Sequence, residues 1–80
     1  MTFKEFKIQN ALGTLSYKDK WHLAYNPKTC KGILTILSRD KGTWGIRYRV
    51  ALNPNTPLKI VKILSTDKNP FIRDVLKHRD

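Results

Sequence analysis

The chain says nearly the same thing twice. The stretch "LAYNPKTCKGILTILSRDKGTWGIR" (residues 23–47) is followed by "VALNPNTPLKIVKILSTDKNPFIR" (residues 50–73), and a shift of 27 lays one on the other. Ala24 falls on Ala51, Asn26-Pro27 on Asn53-Pro54, Thr29 on Thr56 and Ile33 on Ile60. Ile36-Leu37-Ser38 falls on Ile63-Leu64-Ser65 and Asp40-Lys41 on Asp67-Lys68. After one deleted residue, Ile46-Arg47 falls on Ile72-Arg73. A fixed period between about 20 and 50 residues marks a stack of supersecondary units, because no single unit can bury its own apolar face.

The punctuation of these units reads as helical. Thr2, Thr29 and Thr56 are spaced by 27 and each precedes an apolar-periodic run, where an N-cap belongs. Ser16, Thr43 and Asn69 form a second set of caps, with Asp19 completing a capping box after Ser16. Pro57 and Pro70 each follow a cap, at the position where a missing N–H is harmless. The spacing predicts six short helices, about 3–12, 17–25, 30–38, 44–52, 57–65 and 70–78. Asn26-Pro27 and Asn53-Pro54 end the second and fourth, since a residue before proline is pushed out of the helical region.

Leu58, Val61 and Leu64, with Ile60 and Ile63, form a broad helical stripe that Ile33, Leu34, Ile36 and Leu37 repeat. In the first copy only Phe6 keeps register, and Gln9 and Asn10 stand at apolar positions. A worn, polar terminal unit is what a capping repeat looks like. The expectation is therefore one all-α domain over residues 1–80: a helical-repeat stack of about three helix pairs, with units 1–27, 28–54 and 55–80. The first unit is degenerate.

Residues 50–73 resemble the leucine-rich repeat variant, a short helical solenoid repeat similar in style to HEAT repeats. The matching signature is Val50-Ala51-x-Asn53-Pro54-x-Thr56-Pro57, an apolar helix, Asp67, then Ile72-Arg73. Residues 23–47 carry it with Cys30 where proline is usual and with an extra residue near Gly42; residues 1–20 do not carry it. The resemblance implies alternating helices stacked in a right-handed curve, an α-solenoid. It implies no single activity, because such repeats serve as scaffolds and binding surfaces. The cysteine-rich iron–sulfur segment of some members has no counterpart here.

Charge supplies the first pointer to function. Sixteen Lys and Arg against six Asp and Glu give a net +10, spread from Lys4 to Arg79. Such a field attracts polyanions and disfavours basic partners. A single cysteine, Cys30, excludes an internal disulfide framework and a multi-cysteine metal site. No apolar run approaches the roughly 20 residues of a membrane helix, and "MTFKEFKIQN" has no apolar signal-type segment. The expectation is a soluble cytoplasmic protein that no membrane holds.

Specific residues carry this further. Asp40 and Asp67 recur with Arg47 and Arg73, either as a ladder of Asp–Arg contacts between adjacent units or with the arginines as phosphate ligands; the joint recurrence favours the ladder. Lys18, Lys20 and His22 lie on the second helix, Arg47 and Arg49 on the fourth, and Arg73, Lys77, His78 and Arg79 on the sixth. If second-of-pair helices line one face, these residues build a basic stripe suited to sequence-independent phosphate contacts, with Lys20, Arg49 and Lys77 exposed together.

Tyr17, Trp21, Tyr25, Trp44 and Tyr48 interleave with the stripe, as stacking platforms for bases or as packing, with Trp44 over the preceding unit. Cys30, at a helix start beside Lys28 and Lys31, occupies the repeat's proline position, and substitution there explains it ahead of a reactive role. His22 and His78 have no metal-ligand spacing, and no triad, carboxylate pair or Gly-rich phosphate loop is present. The expected function is a binding module, not an enzyme, without cofactor or metal. Its expected partner is DNA or RNA held through phosphates, with an acidic protein as the alternative.

Overall fold

Among the described residues six α-helices follow one another: α1 (Phe3–Leu12), α2 (Tyr17–Tyr25), α3 (Lys31–Leu37), α4 (Trp44–Leu52), α5 (Leu58–Leu64) and α6 (Pro70–Lys77). The computed structural model of the chain describes residues 1–42 and 44–79, and among these there is no strand. The all-α expectation holds, and each helix lies within a residue of its expected bounds.

Three helix starts are capped as the sequence reads. Thr2 and Glu5 exchange hydrogen bonds in a capping box, Ser16 and Asp19 do the same, and the Asn69 side chain accepts from Phe71 N and Ile72 N. The backbone N–H and hydroxyl of Thr2 hold the Glu5 carboxyl below its ordinary pKa, and Ser16 does likewise for Asp19. Gly13 closes α1 in the left-handed conformation (φ 72°), which a residue with a Cβ adopts only at a cost. The expected cap Thr43 lies outside the described residues.

Thr29 and Thr56 are not caps, and here the expectation is corrected. Cys30 and Pro57 precede α3 and α5, neither with a side-chain cap bond. The threonines are buried and turn the other way: Thr29 Oγ1 donates to Leu23 O and Thr56 Oγ1 to Val50 O, near the end of the helix before. Tight turns place them there, with Thr29 N donating to Asn26 O and Thr56 N to Asn53 O. Their hydroxyls bond carbonyls in the last turn of the preceding helix, not orphan N–H groups at the next N-terminus.

The core follows the repeat. Phe6, Ile33 and Ile60 are buried at the same register, as are Leu37 with Leu64 and Ile46 with Ile72. Of the polar positions of the first unit, Asn10 faces outward and Gln9 is half-buried. Leu58 and Ile63, expected in the stripe, are instead exposed. Helix α4 lies between α2 and α6 and also touches α3 and α5, while α1 rests on α3. The Phe3 ring lies against Gly32 so closely that a Cβ there would sit 2.9 Å from it.

Among the polar ties that join successive helix pairs, two recur at the repeat spacing. Asn53 Nδ2 donates to Ala24 O and Asn26 O, each at 2.8 Å, and its Oδ1 accepts from Asn55 N. Arg79 Nη1 donates to Ala51 O and to Asn53 O. The acceptors of the second tie stand 27 residues after those of the first. One repeated backbone feature is thus held by an amide once and by a guanidinium once.

Candidate nucleic-acid interface

The turns inside each helix pair are fastened by carboxylates. Asp40 Oδ1 accepts from Gly42 N and Asp67 Oδ1 from Asn69 N, so each aspartate holds its own turn. Each then receives a cation from the preceding pair: Lys20 Nζ reaches Asp40 at 3.1 Å, and Arg47 Nε reaches Asp67 at 2.8 Å. Arg47 Nη1 also donates to Asp40 O in its own turn, and Arg73 Nη1 repeats that bond to Asp67 O. The expected ladder therefore exists at Arg47, with Lys20 as a rung the sequence reading had placed in the basic stripe. Among the described residues Arg73 meets carbonyls but no carboxylate.

These rungs are half-buried and bear on acid stability. Burial opposes ionisation of Asp67, but hydrogen bonds from Arg47 and Asn69 N and the charges of Arg47 and Arg73 outweigh it, so its pKa is lowered. A carboxyl depressed in the folded state binds its proton more readily in the unfolded chain. Its contribution is therefore complete above the ordinary Asp value and is lost as pH falls through the lower folded one. Unfolding free energy should drop as pH falls below about 4. Asp67→Asn should lower stability at neutral pH and flatten that acid limb, as urea titrations at stepped pH would show.

The remaining stripe residues divide. Lys18, His22, Arg73, Lys77 and His78 are exposed, while Lys20, Arg47, Arg49 and Arg79 are half-buried. The expectation that Lys20, Arg49 and Lys77 are exposed together fails for the first two. Arg49 lies 4.8 Å from the Trp21 ring centre and 5.3 Å from that of Tyr25. Trp21 and Tyr25 are themselves stacked, at 5.2 Å, and His22 meets Trp21 edge-on. The Trp21 ring is thus engaged within the protein.

Trp44 differs. It stacks on Phe71, 5.4 Å away with 22° between the rings, and meets Tyr48 edge-on. Trp44 reaches forward to α6, not back over the preceding unit. It is 44% exposed and Phe71 62%. Cations flank the pair on both sides. A groove between the two carboxylate-fastened turns is lined by Lys41, Gly42, Trp44, Arg47, Lys68, Asn69 and Pro70. Arg39 joins Lys41 and Lys68 where the groove deepens. On the other side Phe71 lines a hollow with Arg73, Lys77 and the exposed carboxylate of Asp74.

The sequence reading did not assign Arg39, Lys41 or Lys68 to a site, nor include Phe71 among the aromatics. The available signal was Lys41 falling on Lys68 at the repeat spacing, beside the recurring aspartates. No group of His, Cys, Asp and Glu among the described residues is placed to hold a metal ion. No described helix is long and apolar enough to cross a membrane. No family model, curated protein or solved structure matches the chain.

Proposed function

We propose that the chain is a small basic helical-repeat module that binds nucleic acid through phosphate contacts. The finer architecture belongs to the same proposal: a short right-handed α-solenoid of period 27, resembling the leucine-rich repeat variant. The row α2–α4–α6 and the ties and rungs that recur at that spacing support it.

The observation that carries the functional reading is where the negative charge goes. Glu5 and Asp19 are spent on capping boxes, and Asp40 and Asp67 on turns and rungs. Among the described residues two of the sixteen Lys and Arg, Lys20 and Arg47, are neutralised in these ion pairs. These four carboxylates act as internal fasteners, so that among the described residues Asp74, exposed on α6, is the carboxylate left among the outer cations. A surface of that kind gains affinity for a polyanion by releasing its counterions, with no demand on sequence.

Anisotropy of labelled random DNA and RNA across a salt series tests this. Log affinity should fall linearly with log salt, by about 0.7–0.9 for each phosphate contact. Lys41→Glu with Lys68→Glu should weaken binding by similar factors on unrelated sequences, while Lys4→Glu with Lys59→Glu leaves only a weak long-range effect. A second reading, an adaptor for an acidic protein, is favoured by the exposed Leu58 and Ile63 and by the outward cations of α6. Absence of any binding to DNA or RNA at low salt would overturn the first reading in favour of the second.

A further inference from the structure

We infer that the Trp44–Phe71 pair and its flanking cations form a site for single-stranded nucleic acid, an inference that rests on the nucleic-acid reading above. A base offers its face to an aromatic ring only when unpaired, and such stacking accepts any base because every base has a π-face. The stacked pair is the part of the aromatic surface built for this. Trp21 is already covered by Tyr25 and Arg49, whereas Trp44 and Phe71, stacked on each other with Tyr48 edge-on to Trp44, remain open to solvent.

The chemistry around the pair matches a strand in both its parts. Lys41 and Lys68 stand beside Trp44 at the groove between the turns, and Arg73 and Lys77 stand beside Phe71, two cations against the single carboxylate of Asp74. A backbone crossing the pair meets cations before it and after it, with aromatic surface between them for the bases. Arg47, which also lines the groove, keeps its guanidinium on Asp67 and positions the α5–α6 turn that carries Lys68. Of the cations assigned to phosphates, Lys41, Lys68 and Lys77 carry no rung, and Arg73 donates through Nη1 to Asp67 O and Lys68 O in its own turn. A duplex presents phosphates to the same cations but gives the rings nothing to stack on.

The test uses the full chain, a labelled random strand of about twelve nucleotides, and the same strand annealed to its complement. The single strand is expected to bind more tightly and to change tryptophan fluorescence. Trp44→Ala with Phe71→Ala should weaken single-strand binding about 5- to 150-fold. It should leave the salt slope unchanged and abolish the fluorescence response. Lys41→Glu with Lys68→Glu should instead flatten the slope. Far-ultraviolet circular dichroism checks folding; Phe71→Ala alone, at a largely exposed position, serves if the double variant unfolds, and Trp44→Phe should keep most of the affinity. Equal binding of both forms, untouched by loss of the rings, would overturn the single-strand site and leave the phosphate reading standing. Binding of neither form would overturn both.

Discussion

Leu37→Ala is expected to cost about 2–5 kcal/mol, a large share of the total stability of a domain this small. Leu37 is 1% exposed on α3, the helix that touches α1, α2 and α4, so surrounding groups on several sides resist collapse into the space left behind. Its repeat counterpart Leu64 is as well buried, at 2%, but sits on α5, which packs only on α4 and α6 among its principal neighbours. Leu64→Ala should fall toward the lower end of that range, because a less enclosed site relaxes more. Asn10, at the same register in the first unit, is exposed, and Asn10→Ala should shift stability by no more than about 0.5 kcal/mol. Urea unfolding of the three variants reads this directly. Equal losses at all three positions would contradict the view of residues 1–27 as a cap.

Asn53→Ala carries the second large effect, expected at about 1–3 kcal/mol, although it removes only an amide. Asn53 is 3% exposed and holds two carbonyls of the preceding helix pair. The bond to Ala24 O is fully buried, so its loss strands an acceptor that water does not reach. Asn53→Asp keeps the shape but points an acceptor at two acceptors, and should be at least as costly. The same change at Asn26, its counterpart one period earlier, should cost a fraction of this. Asn26 is exposed and, among the described residues, its side chain serves only Lys28 N in the local turn. Two residues at identical places in the repeat should thus differ several-fold in denaturation midpoint shift, and parity between them would refute the role assigned to the tie.

The helices were legible because cap, periodicity and proline agreed at nearly every boundary. Thr29 and Thr56 were misread because a threonine before an apolar run has two ways to use its hydroxyl. Sequence spacing does not distinguish accepting from the next helix and donating to the last one; the tight Asn-Pro turn decides it, by carrying the hydroxyl back to Leu23 O or Val50 O. The ladder was half visible. Arg47 and Asp67 announced themselves by recurrence, while Lys20 was hidden by its different side chain, although it precedes Arg47 by one full period. The groove at Trp44 was least legible, because it forms only when two turns one period apart come side by side, and Phe71 has no aromatic counterpart in the other units.

The ties between helix pairs have a bearing on descent. Their acceptors are main-chain carbonyls, which every amino acid possesses, so the accepting half of each tie survives any substitution that keeps the backbone in place. Only the donor is exposed to mutation, and the donor need only bring an N–H of adequate reach, as the exchange of Asn53 for Arg79 illustrates. Lineages of such units are free to drift apart letter by letter while the geometry of the join is passed on. Resemblance between copies then erodes much faster than the shape they share.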